Sequence, residues 1–401
     1  MTAASTCSGS QNSSNTFALG SFLPLTGSLS FLAPPAVAGV GAALSDINAA
    51  GGVNGKPACV ISQDSSDTDH KAISIANIKK LVNANVSAVV GPESSGVTEN
   101  IAQVTDAAKT VDFSPAATDD ALSGSSPWFF RDVAPNAAEG QALGNQILSD
   151  VPGAKVGILV FNDPYGLNLR DTLSQTIKAG GGSIVYGDKG SGQEFGTTET
   201  NFGDIVNSVL AKQPDVIAII AFDQTQQILP ALGSAGFDGS KLYFVDGNLS
   251  DYTKTPGVPD LTGSKGTQQG ADPTAFAPTL EAWYKANDGK SLGGIYNYGP
   301  ESYDATMILA LAADLGGKDD SATIDQNIPK VTADGGTKCT SYAECLKDIQ
   351  AGQQIQYSGP SSIGPINSEH DPSSAYVGIY GAQGKNTAAK FLTAIKADNI
   401  K

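Results

Sequence analysis

Short apolar runs and amphipathic stretches alternate along this chain, and the alternation runs through two separate series. The first has strand signals at 17–23, 59–62, 86–90 and 110–114, with helical spacing at 34–50, 70–84 and 95–108. The second has strand signals at 154–161, 183–186, 215–221 and 241–245, with helical spacing at 165–179, 200–212 and 224–235. Apolar strands that alternate with helices imply parallel sheets, because each parallel connection must cross the sheet and a helix makes that crossing. The rhythm breaks near Arg131 to Pro135. One sheet holding all these strands would be unusual, so the break divides two similar α/β lobes.

Punctuation residues support this reading. Pro34 and Pro35 stand near the start of the first helix and Gly51-Gly52 at its stop, while Gly180-Gly181-Gly182 stops the helix at 165–179. Residues 251–275, rich in Gly, Pro, Thr and Asp, read as a crossover. Helices are expected at about 276–287, 299–315, 322–332 and 341–351, and 359–366 with 375–380 reads as a hairpin. Residues 1–16 are rich in Ser, Asn and Thr and read as a flexible tether.

Composition narrows the partners. With 24 Lys+Arg against 40 Asp+Glu the formal charge is −16, which argues against nucleic acid or an anionic membrane surface. Charged residues are only 16% and glycines number 46, a globular composition and not a disordered one. No apolar run reaches 18 residues, so no transmembrane helix is expected. The small, polar first sixteen residues show no signal peptide and read as a processed start.

The four cysteines are Cys7, Cys59, Cys339 and Cys345. An even count without a CxxC, in a chain with two histidines, disfavours zinc. Cys339 and Cys345 are close enough to form a small loop at a helix start, the alternative being two buried thiols. Cys7 pairs with Cys59 if the tail runs beside the second strand; the rival reading makes Cys7 a lipid-bearing N-terminal cysteine. Either way an oxidising, extracytoplasmic compartment is favoured.

Two segments carry the functional signal. Val89-Val90-Gly91-Pro92-Glu93-Ser94-Ser95-Gly96 and Val111-Asp112-Phe113-Ser114-Pro115-Ala116-Ala117-Thr118 each run from an apolar strand into small hydroxylated residues. A doubly wound sheet ends its strands in this way at a ligand cleft. Hydroxyls and free backbone N–H groups there make a cradle for a small anion such as a carboxylate. Enzyme signatures are poor by comparison. Gly39-Val40-Gly41 lies inside a helix and lacks a third glycine, Gly51 to Pro57 has the wrong phosphate-loop spacing, and no GxSxG is present. His70 and His370 read as solvated surface residues, so no catalytic role and no cofactor or metal is expected.

The chain resembles the branched-chain amino-acid (leucine/isoleucine/valine) family of type I periplasmic binding proteins, the substrate receptors of ABC importers. The segments that carry the resemblance are Pro24-Leu25-Thr26-Gly27, Asn48 to Gly55, the two segments above, Asn162-Asp163-Pro164-Tyr165-Gly166, Gly233 to Phe237 and Tyr303-Asp304-Ala305. They span about residues 17–385 in the family's order.

The resemblance implies two Rossmann-like lobes joined by three crossovers, with lobe 1 at 17–133 plus 266–356, lobe 2 at 134–265 plus 357–390, and a C-terminal tail at 391–401. It implies a clamshell that captures an amino acid or related small carboxylate and delivers it to permease subunits in the membrane. The alternative is a ligand-sensing receptor of the same fold, for an amide or aromatic acid, that feeds a regulator. Ser95 and Thr118 are implied to hold the carboxylate, with Ala116 and Ala117 offering backbone groups beside them. Asp246 is implied to meet the ammonium, with Asp223 as competitor, and Tyr165 to close over the ligand. Phe31 and Phe222 are candidate pocket walls. Each of these residues also has a plain structural role open to it, as helix cap, turn residue or core. Two positions depart from the aliphatic-selective pattern: Glu93 replaces an apolar residue, and Leu32 falls near an aromatic wall position.

Overall fold

A computed structural model describes Cys7 and residues 15–400. Apart from Cys7, Asn15 and Thr16, the tether expected at 1–16 lies outside the described residues. The chain runs through β1 (Phe17–Leu23), α1 (Ala33–Ala49), β2 (Ala58–Asp64), α2 (Lys71–Asn83), β3 (Val89–Val90), α3 (Ser95–Ala108), β4 (Asp112–Ser114) and β5 (Phe129–Arg131). These five strands form one parallel sheet in the order β2-β1-β3-β4-β5.

The second series is α4 (Asn136–Asp150), β6 (Lys155–Val160), α5 (Pro164–Ala179), β7 (Ser183–Tyr186), α6 (Gly203–Leu210), β8 (Val216–Ile220), α7 (Thr225–Ser234), β9 (Leu242–Phe244) and β10 (Lys265–Gln269). Next come α8 (Ala277–Asp288), α9 (Gly299–Gly316), α10 (Ser321–Val331), β11 (Thr337–Cys339), α11 (Tyr342–Gln350) and β12 (Ile355–Tyr357), then β13 (Ser374–Gly381) and β14 (Lys390–Asp398). The second sheet has the order β14-β13-β10-β9-β8-β6-β7, and β11 pairs with β12 alone. Its members β10, β9, β8, β6 and β7 are parallel, whereas β13 and β14 join antiparallel. The class is therefore α/β with two Rossmann-like lobes.

Local chemistry explains the main helices. Pro34 and Pro35 occupy the first turn of α1, where their missing N–H groups are not needed, and Gly51 and Gly52 follow its end with φ of 106° and 81°. The Asp163 carboxylate accepts the Tyr165 N–H at 3.0 Å and caps α5. Strand β8 is buried at every residue, which is why Val216 to Ile220 reads as a continuous apolar run with no alternation. Helix α9 is buried from Gly299 to Ala313 and lies against α1. A Cβ on Gly39 would sit 2.2 Å from the Gly299 carbonyl oxygen, so glycine is what lets these helices cross so closely.

The strand pairing moves the expected lobe limits. Strand β10 bonds to β9 and β13, so 266–269 belong to the second lobe and the second crossover follows Gln269. Residues 358–372 stay on the first lobe. The Asp304 carboxylate accepts from the Tyr357 hydroxyl at 2.7 Å and from the Ser361 N–H at 2.8 Å, and Asp371 pairs with Arg131. The second lobe resumes only at β13. The expected tail at 391–401 is largely β14, which pairs along β13, so the C-terminal hairpin is β13–β14 and not 359–366 with 375–380.

Both disulfides form, Cys7–Cys59 and Cys339–Cys345. The Cys7 N–H donates to the Val60 carbonyl at 3.1 Å, so Cys7 lies alongside β2. Its sulfur is thereby committed, and the lipid-bearing alternative for Cys7 does not fit this structure. Among the described residues no helix is long and apolar enough to cross a membrane.

Candidate functional site

The lobes meet around a narrow cavity of about 10 Å3, room for about one water. The first lobe supplies Leu29, Leu32, Glu93, Ser94, Ser95 and Ala116; the second supplies Tyr165, Phe222 and Gly247; Tyr298 comes from the turn before α9. Apart from Tyr298, every wall residue follows the carboxyl end of a strand: β1, β3 and β4 on one side, β6, β8 and β9 on the other. Parallel sheets present ligand sites at this edge. Leu29, Leu32, Ala116 and Tyr298 share one apolar cluster with the core of the second lobe, so the two lobes are in contact across the cleft.

The hydroxyl segments are brought together, and their first task is structural. Ser95 Oγ accepts the N–H groups of Thr118 at 3.2 Å and Asp119 at 3.0 Å. Ser114 Oγ donates to the Pro92 carbonyl at 2.6 Å and accepts the N–H groups of Ala116 at 3.2 Å and Ala117 at 2.8 Å. The amides of 116–119, expected to be free for an anion, are therefore bonded to side-chain oxygens. Arg131 holds the same turn from behind. Its Nη1 donates to the carbonyls of Ala117 at 3.0 Å and Asp119 at 2.8 Å, while Nε donates to Asp371 at 2.7 Å, with both side chains fully buried. Ser95 and Ala116 reach the cavity wall; Ala117 and Thr118 lie one layer behind it. The Thr118 hydroxyl is buried without a hydrogen-bond partner.

On the second lobe the expected acid is covered. The Tyr165 hydroxyl donates to Asp246 Oδ1 at 2.5 Å, and Tyr165, not Asp246, faces the cavity. The Asp246 N–H donates to Glu139 Oε1 at 3.1 Å, and its carbonyl accepts Asn297 Nδ2 at 3.2 Å. Burial raises the Asp246 pKa, opposed by the Tyr165 and Tyr298 hydroxyls; the Tyr298 approach falls short of a well-formed hydrogen bond, leaving Oδ2 without one. Burial and then the Asp246 charge push Glu139 well above the usual carboxylate range. Glu139 also accepts from the Thr267 hydroxyl at 2.6 Å and from Gln269 Nε2 at 3.3 Å.

Phe222 stacks on Tyr165 with ring centroids 5.3 Å apart. A Cβ on Gly247 would come within 2.8 Å of the Phe222 ring and 3.2 Å of the Tyr165 hydroxyl, so a glycine leaves room for the pair. Two expected residues are elsewhere. Asp223 is exposed and off the cavity wall, its carbonyl accepting the Gln226 N–H as α7 starts. Phe31 is half-buried, and its neighbours Leu29 and Leu32 form the wall in its place.

Glu93 is the unusual wall residue. It is 1% exposed, and neither carboxylate oxygen has a hydrogen-bond partner. Burial, then the nearby Glu301 carboxylate, pushes its pKa well above the ordinary value. None of the ten wall residues is basic. Sequence reasoning missed Ser94, Leu29, Gly247, Tyr298 and, behind the wall, Glu139. Ser94 and Gly247 directly adjoin expected residues, which is a usable signal. Tyr298 reaches the cavity from a turn with a φ of 60°, and no periodicity marks it.

Two lobes of parallel sheet, joined by three crossings and closed on a cavity at their strand ends, define the type I periplasmic binding fold. The chain belongs to the periplasmic binding protein family, whose sequence profile matches residues 16–356. It is 26% identical over 309 residues to the Leu/Ile/Val-binding protein homolog 1 of Brucella suis biovar 1, covering 74% of this chain and 78% of that one. Its fold is similar to that of LivJ, a branched-chain amino acid transporter substrate-binding protein of Streptococcus pneumoniae solved with isoleucine, with a TM-score of 0.72, 21% identity, and 94% and 100% of the two chains covered. It is also similar to an ABC-transporter solute-binding protein of Rhodopseudomonas palustris solved with 4-hydroxybenzoate, with a TM-score of 0.76, 16% identity, and 96% and 98% covered. At such identities the two structures speak for the fold alone.

Proposed function

We propose that this protein is the extracytoplasmic solute-binding component of an ABC importer, and that it closes its lobes on one small amino-acid-like solute. The observation that carries this reading is the narrow cavity walled by both lobes. A solute that touches both walls stabilises the closed arrangement over the open one, and differential affinity of this kind drives closure. At about 10 Å3 the cavity holds little more than a water with the lobes in this arrangement, so a solute enters only as the lobes part. Ser94 and Ser95 at the start of α3 provide the polar wall, and Tyr165, Phe222 and Tyr298 the aromatic one.

Two further facts support the reading. The two disulfides suit an oxidising compartment. The relatives described above include transport proteins that bind amino acids and aromatic acids. The partners are then the permease subunits that receive the closed form.

Calorimetry against amino acids, small amides and aromatic acids tests the proposal, combined with small-angle scattering. Saturable one-to-one binding with a smaller radius of gyration in the bound state is expected. Absence of binding, or binding without compaction, would overturn it.

A further inference from the structure

We infer that the cationic nitrogen of the ligand is held at Glu93 in the first lobe, and that Asp246 in the second lobe acts only through Tyr165. The inference rests on the receptor reading above and names the class of solute: a small amine, with or without a carboxylate. Glu93 lines the cavity, is 1% exposed, and has both carboxylate oxygens without a partner. A buried carboxylate left alone is costly, and an ammonium group supplies both the missing charge and the missing donors. Across the cavity stand Tyr165, Phe222 and Tyr298, and aromatic faces attract cations. Tyr298 is close enough to Glu93 for its titration to feel that charge.

The alternatives are weaker on the same geometry. Asp246 is fully buried, its Oδ1 is occupied by the Tyr165 hydroxyl, and it does not reach the cavity wall. The turn at 116–119, which an anionic ligand needs, already gives its N–H groups to Ser114 and Ser95. Glu301 places a second carboxyl near Glu93, and no wall residue is basic.

Three compounds that share one carbon skeleton provide the test: leucine, 3-methylbutylamine and 4-methylpentanoate, measured by calorimetry on the full chain. The amine is expected to bind, and the carboxylate is not. Glu93→Gln is expected to weaken the amine about 10- to 100-fold, the range for a lost charge-assisted hydrogen bond, and Asp246→Asn far less. Wild-type binding of the amine is also expected to release a proton, read from buffers of different ionisation heat, and Glu93→Gln to abolish the release. Binding of 4-methylpentanoate with no response to the amine overturns the inference and leaves the receptor reading intact. Leucine binding that Glu93→Gln leaves unchanged does the same. No response to any of the three overturns the inference and leaves the receptor reading to the wider panel above. The wild-type comparison decides even where a variant fails to fold.

Discussion

The hydroxyl of Tyr165 caps the carboxylate of Asp246 at 2.5 Å, so the aromatic wall of the second lobe rests on a buried acid. Tyr165→Phe removes the donor and leaves the acid short of a partner. The expected loss is about 1–3 kcal/mol of stability, the usual cost of orphaning a buried polar group. Urea unfolding of the two proteins at neutral pH checks it; an unchanged midpoint would mean that the buried acid does not depend on the Tyr165 hydroxyl.

Arg131 and Asp371 form the second buried contact of consequence, with neither side chain exposed. Arg131→Met leaves Asp371 as an uncompensated buried charge and releases the turn at 117–119. A loss of about 3–5 kcal/mol is expected for breaking one side of such a pair. The double substitution Arg131→Met with Asp371→Leu is expected to recover much of the stability, yet not the ligand affinity, because the carbonyls of Ala117 and Asp119 still lose their donor.

Acidic pH is expected to stabilise the fold. Burial raises Glu301 to about 8, and raises Asp304 and Asp163 to about 6. A carboxyl whose folded pKa lies above its unfolded value binds its proton more tightly when folded. Its contribution is full below the unfolded pKa, 3.8 for the two aspartates and 4.5 for the glutamate, and is lost as pH rises through the folded value. Each such group lowers stability by at most about 1.4 kcal/mol per pH unit in that window. The urea midpoint should therefore fall between pH 5 and pH 8, and Glu301→Gln should flatten the decline. A midpoint that rises over that interval would contradict the assignment.

Gly247→Ala places a methyl group against the Phe222 ring and the Tyr165 hydroxyl. Affinity is expected to fall at least about tenfold, for about 1.4 kcal/mol of displaced wall, while the ligand-free melting temperature moves little. Calorimetry and thermal unfolding on the same preparation separate the two effects.

The two disulfides differ in the loops they close, with sequence separations of 52 and 6. The chain-entropy relation gives about 4 kcal/mol for the longer loop and about 2 kcal/mol for the shorter. Serine substitution of Cys7 and Cys59 is thus expected to lower stability more than substitution of Cys339 and Cys345, measured by denaturant unfolding.

The strand–helix rhythm was legible because each element carries its own period and punctuation; α3 spans the expected 95–108. Strands β5, β11 and β12 were not, since these short runs fall outside the strand–helix alternation. Lobe limits were misplaced where long-range bonds decide them. Only the partners β9 and β13 show that β10 belongs to the second lobe, and only Arg131 shows that Asp371 remains with the first. At the site, sequence order pointed to the correct strand ends. It did not show which side chains fill the wall and which support it, because Thr118 and Asp246 differ from Ser95, Glu93 and Tyr298 by one layer of packing. Glu93 stood out in the sequence as a charge in an apolar position, and the structure leaves that charge without a partner.

The interleaving of the two lobes bears on how the chain is made. The first sheet is laid down by Arg131, but the helices that cover α1, α8 and α9, arrive more than a hundred residues later. The second sheet lacks its edge until β13 and β14 emerge at the very end. Neither half can finish its core on the ribosome while the other is still being synthesised, so the usual domain-by-domain order of folding is closed to it. A newly made chain stays incomplete until its last strand is available.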